Sequence, residues 1–116
     1  MNKSRRKELS KVIKIMTGLK NMKPNAEICS LLQEAEKTLE EVTDEEQMAY
    51  DSLPENLMLS AKADAFSDNL SNLWDAQADL GLVVEAFDNP NGNGYSDCQA
   101  EVASVILNCT EAIERR

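Results

Sequence analysis

The chain has 116 residues, 42% of them hydrophobic, with three prolines, four glycines and no histidine. That length fits one domain, able to bury about two thirds of the surface its unfolded form exposes, and the scarcity of helix breakers favours helices. The formal charge of −9 is unevenly spread: residues 1–23 carry eight basic side chains against Glu8, a net of +7, and the remaining 93 residues carry four basic and twenty acidic groups, a net of −16. The larger negative part disfavours direct nucleic-acid binding and leaves only the N-terminal segment able to contact phosphate.

Cys29, Cys98 and Cys109 are odd in number and lack Cys-x-x-Cys spacing. Reduced thiols are expected, with neither a disulfide scaffold nor a zinc site. Lys11 and Lys14 interrupt the apolar positions that follow the basic opening, so no signal-peptide core forms, and no run approaches the roughly 18 apolar residues of a membrane span. A soluble, cytoplasmic protein is expected.

Leu9, Val12, Ile13, Met16, Leu19 and Met22 recur at spacings of three and four, which predicts an amphipathic helix over residues 4–22 capped by Ser4. Arg5, Arg6 and Lys7 then stand at the positive end of the helix dipole, so acidic groups elsewhere in the fold or in a partner should compensate them. Pro24 should stop this helix, and Asn25 can cap a second one over 25–50. Ile28, Leu31, Leu32, Ala35, Leu39 and Val42 line its apolar face, with Met48 and Ala49 beyond them. Its outward face is read as Glu34, Glu36, Glu40, Glu41, Asp44, Glu45 and Glu46.

Next comes a corner, Tyr50-Asp51-Ser52-Leu53-Pro54-Glu55-Asn56-Leu57, in which Pro54 holds Leu53 out of helical geometry and Ser52 with Glu55 has capping-box spacing. Leu57, Met58 and Leu59 read as an apolar plug for the end of the bundle. A third helix follows over 60–87, with Phe66, Leu70, Leu73, Gln77, Leu80, Val84 and Phe87 spaced 4, 3, 4, 3, 4, 3. Gln77 interrupts this seam as a residue that could set register or oligomer state. A second edge of Ala63, Trp74, Ala78 and Leu82 widens the stripe, so the helix should touch more than one neighbour. Asn and Gly residues between 88 and 95 make a loop, and Ser96 with Gln99 suggests a capping box opening a fourth helix over 96–114. Its face is Cys98, Val102, Val105, Ile106, Cys109 and Ile113, which makes the two cysteines small buried hydrophobes.

Few constellations could carry chemistry. The Asn89–Asp97 loop approximates a calcium-binding frame, but its twelfth position is Ala100, so a plain turn is the stronger reading. Glu40-Glu41-Val42-Thr43-Asp44 has the Glu-Glu-x-x-acid spacing that resembles one metal-binding half of all-α nucleotide pyrophosphatases. Glu85 and Asp88 would have to supply the other half, from farther along the chain than that family places it. Asp64, Asp68, Asp75 and Asp79 are spaced 4, 7, 4 and so form an acidic stripe on one face of the third helix. Such a stripe either keeps the protein soluble or occupies a basic groove on another protein, with carboxylates standing where phosphates would. The acidic second helix is expected to extend it.

Arg5-Arg6-Lys7, Asp44-Glu45-Glu46, the Tyr50–Leu57 corner and Ser60 together resemble small acidic helical-hairpin proteins of Gram-positive phages and mobile elements. The resemblance covers about residues 5–80 and implies a helical hairpin in a bacterial host cell, without a reaction.

The expectation is therefore one all-α domain over residues 1–116, a four-helix up-down bundle built on a long antiparallel hairpin of the second and third helices. The leading functional reading is a non-enzymatic acidic binding protein, without cofactor or metal. Its partner would be a host protein with a basic surface, such as a defence nuclease, met through Glu40, Glu41, Asp44, Glu45, Asp64, Asp68, Asp75 and Asp79. A self-associating module using the Phe66–Phe87 seam is the alternative, and a magnesium-dependent pyrophosphatase the third.

Overall fold

A computed structural model describes residues 2–19, 26–57, 60–89 and 91–114. It contains four α-helices, α1 (Lys3–Gly18), α2 (Ala26–Asp51), α3 (Ala61–Asp88) and α4 (Gln99–Glu114), with single 3-10 turns at Glu55–Leu57 and Gly94–Asp97. Each helix packs against two others in the cyclic order α1, α2, α3, α4 and back to α1. This is the expected up-down bundle.

Three contacts fix one register along the hairpin. Tyr50 meets Phe66 edge to face with ring centroids 6.3 Å apart, Leu39 and Gln77 line one cleft, and the Cys29 thiol faces the Phe87 carbonyl oxygen at 3.8 Å. Each pair is reached by advancing α2 as far as α3 is retraced, as antiparallel helices require. With 26 and 28 residues, α2 and α3 are longer than α1 and α4, which have 16 each. Arg5 of α1 meets Glu46, and Ser104 of α4 meets Asp79. From these anchors, at about 1.5 Å per residue, α1 and α4 give out near residues 48 and 69 of the hairpin. Beyond them, among the described residues, α2, the corner and the first two turns of α3 continue, within a molecule 53 Å long.

The core is stacked from all four helices: Leu9, Val12 and Met16, then Leu32, Ala35, Leu39 and Val42, then Leu73, Ala76, Leu80 and Val83, then Val102, Val105, Cys109 and Ala112. Full burial of each larger aliphatic side chain contributes about 1.5–3 kcal/mol relative to exposure. The seam of α3 is spent inside the chain, since Leu70, Leu73, Leu80 and Phe87 are buried. Gln77 and Val84 are only half-buried, while Ala76, Val83 and Asn69 go inside. The buried stripe is rotated because α3 must serve α4 as well as α2.

Several local expectations are corrected. Asn2, rather than Ser4, caps α1, its side chain accepting from the Arg5 N–H at 2.9 Å. That helix is described to Leu19; the expected end at Met22, the Pro24 stop and the Asn25 cap lie outside the described residues, as do Met58 and Leu59 of the plug. Ser60 caps α3, accepting from the Ala63 N–H while donating to the Leu57 carbonyl. Ser96 lies inside the second 3-10 turn, so α4 begins three residues later at Gln99. Here the backbone N–H of Val102 bonds the Cys98 carbonyl at 2.9 Å, and the Cys98 thiol folds back onto the Gly94 carbonyl.

Candidate partner-binding face

Successive residues on a helix turn by about 100°. On α3 this places Asp64, Asp68, Asp75 and Asp79 within about 60° of one another, on the flank that faces α4. Asp64, Asp68 and Asp75 are exposed. Asp79 is half-buried and accepts a short hydrogen bond from the Ser104 hydroxyl, to which the Asn108 amide also donates at 3.3 Å. Asp79 thus ties α3 to α4, and it is less exposed than the other three aspartates.

Glu40, Glu41, Asp44 and Glu45 are exposed on α2. They do not continue the aspartate stripe, because Gln77, on the opposite flank of α3, marks the side that meets α2. Between the flanks runs an apolar strip. Trp74 is 53% exposed and Leu82 49%, with Ala78 between them also exposed. The structure covers Ala63 at 2% exposure but leaves the rest of this widened edge open. Trp74 and Ala78 follow Leu73 and Gln77 of the seam by one residue and so keep its period, yet they face solvent where contact with a neighbouring helix is expected.

Glu46, expected on the outward acidic face, is fully buried, and one carboxylate oxygen lies 3.0 Å from Arg5 Nε. Its position was readable from spacing: Leu39, Val42 and Glu46 are three and four apart, which is the core period. This pair supplies the compensation demanded by positive charge at the start of α1, and Lys11 adds an exposed contact with Glu8 at 3.0 Å. Lys3, Lys7, Lys11 and Lys14 are exposed on α1. Since α1 and α3 are not neighbours in the cyclic order, the basic and aspartate faces point to opposite sides of the bundle.

An open cleft between α2 and α3 is lined by Glu36, Leu39, Glu40, Gln77 and Leu80. Partial burial, then Asp88 and Glu40, raise the Glu36 carboxyl above its ordinary range. The residues required for a magnesium site are not brought together. By the hairpin register Glu85 stands opposite residue 31, ten residues and about 15 Å along the axis from Glu41. Among the described residues no group of three or more acidic or thiol side chains is placed to hold a metal ion.

The thiols are poor nucleophiles. Burial pushes Cys109 up to about 12, and burial with Glu101 and Asp97 pushes Cys98 up to about 11. Cys29 is raised by hydrogen bonding with Asp88, then by burial and the Asp88 charge. Thiolates are the reactive form, and all three environments disfavour it. No described helix is long and apolar enough to cross a membrane.

No protein-family model, curated protein or solved structure matches the chain.

Proposed function

We propose that this chain is a non-enzymatic acidic binding protein of a phage or mobile element. Its target is a basic surface on a host protein, such as the nucleic-acid channel of a defence nuclease. The observation that carries this reading is the outward display of Asp64, Asp68 and Asp75 on one rigid helix, on the side of the bundle away from the basic α1. Charges fixed on a helix can be matched in register by lysine and arginine, and they steer encounter over about a Debye length. The phage or mobile-element setting comes from the resemblance of the Tyr50–Leu57 corner.

The test is affinity capture from host lysate followed by a nucleic-acid-binding assay of the captured protein. The parent chain should compete with nucleic acid, release its target as salt rises, and lose capture when Asp64, Asp68 and Asp75 are changed to lysine. Asp79 is left intact because Ser104 needs it. Capture that survives both salt and charge reversal would overturn the reading.

A further inference from the structure

Acidic display alone does not account for the apolar strip beside it. Trp74 and Leu82 are two turns apart on the same side of α3, and both leave about half of their surface in water. Gly81 adds an opening beside them: a side-chain carbon built there would meet nothing within 4 Å apart from its chain neighbours and its own helix backbone. A second helix could approach this stretch closely. Large exposed aromatic and aliphatic side chains on a rigid helix are the usual anchors of protein interfaces, and tryptophan is among the side chains most enriched there.

The flanks identify the occupant. One edge of the strip is bounded by Asp64, Asp68 and Asp75; Glu85 falls in line with the strip just beyond Leu82, and Glu40 of α2 lies across the cleft on the other side, all of them exposed. If two copies joined strip to strip, an antiparallel pairing would set each aspartate flank against itself, and a parallel pairing would set it against the side on which Glu40 lies. Both arrangements oppose like charges. On a second copy the exposed residues of α1 among those described are lysine, serine and threonine, while α4, which exposes Leu107, carries no lysine or arginine within Gln99–Glu114, so neither helix joins an exposed apolar seam to basic flanks.

We propose that the outward face of α3 is a docking surface for an amphipathic basic helix of another protein. The apolar seam of that helix seats over Trp74, Ala78 and Leu82 while its flanking lysines or arginines meet the acidic edges. This rests on the reading of α3 as the binding face and adds that recognition is apolar as well as electrostatic.

Trp74 is the single tryptophan of the chain, so its fluorescence reports the site directly. The probes are three synthetic peptides: a helix with a leucine and alanine seam and lysine flanks, the same seam with glutamate flanks, and an oligolysine of equal charge. The lysine-flanked helix should bind with a saturable blue shift of Trp74 emission, and the glutamate-flanked one should not. Trp74→Gln and Leu82→Ser, followed by a label on the peptide, should each weaken binding at least about tenfold while helicity is unchanged. If oligolysine binds as tightly and Trp74 does not shift, the strip is not used and this inference falls, while the acidic-face reading stands. If neither basic peptide binds, both fall. A concentration-dependent blue shift of the protein alone, with dimers in sedimentation, would assign the strip to a second copy and overturn the inference.

Discussion

Two regions of the bundle invert the usual placement of side chains, in opposite senses. At the end where α1 begins, Glu46 and Asn69 are polar yet buried, at 0% and 2% exposure. Midway along the outer face of α3, Trp74 and Leu82 are apolar yet half exposed. In both places helical phase decides what is inside, and residue chemistry has to be accommodated. A carboxylate placed inside acquires an arginine; a tryptophan placed outside has no partner within the described chain. The first inversion is resolved within the fold, and the second by our proposal requires another molecule.

The contrast can be broken most forcefully at Glu46. Removing one member of a buried ion pair leaves the other charge in a poor environment, a loss of about 3 kcal/mol or more. Glu46→Ala should therefore lower the thermal midpoint by about 10 °C or more, and Arg5→Leu with Glu46→Met should recover most of it. A midpoint that hardly moves in Glu46→Ala would show that the pair contributes nothing net.

Asn69 gives a smaller effect of opposite sign. Its Oδ1 is buried without a hydrogen-bond partner among the described residues, and an unsatisfied buried acceptor costs about 1–3 kcal/mol. Asn69→Leu should stabilise by about 1 kcal/mol, or about 4 °C, in calorimetry.

Glu36 should give a pH-dependent signature. Its carboxyl is raised in the folded state, so the folded protein holds that proton more tightly than the unfolded chain. Stability from this group is present below the ordinary value of 4.5 and is lost as pH rises through the folded value. Glu36→Gln should thus be more stable than the parent at neutral pH, and the gap should close on acidification below 4.5. Urea titrations at several pH values read this directly, and a gap independent of pH would exclude a titration origin.

The smallest effect is expected at Trp74. An exposed site away from caps and the core should change stability by no more than about 0.5 kcal/mol, so Trp74→Gln should melt with the parent. A clear loss of stability would mean that the ring is already used within the fold, and the comparison would collapse.

Much of this architecture was legible in the pattern of the sequence. Spacings of three and four located the four helices and most of the core, since burial follows helical period. The chemistry of individual residues was less reliable as a guide. The acid chemistry of Glu46 argues for the surface, whereas its spacing from Leu39 and Val42 places it inside, and the spacing prevails. The apolar character of Trp74, Ala78 and Leu82 argues for a neighbouring helix, although α3 spends its contacts on α2 and α4 along another stripe. The separation of the α2 acids from the aspartates depends on which flank each neighbouring helix takes, and this is tertiary information. Of the eight acidic residues singled out, seven are exposed, and Asp79 is held by Ser104.

The cyclic order of the helices also bears on how the bundle forms. Three of its four contacts join helices consecutive in the chain, whereas α1 against α4 brings together segments separated by most of the sequence. Loop-closure entropy places that contact late, after local hairpins have collapsed. Truncations such as Val12→Ala should accordingly accelerate unfolding more than they slow folding, and stopped-flow kinetics would show it. In this sense α1 acts as a latch: an early hairpin sets the topology, and its lifetime depends on the helix that closes the ring.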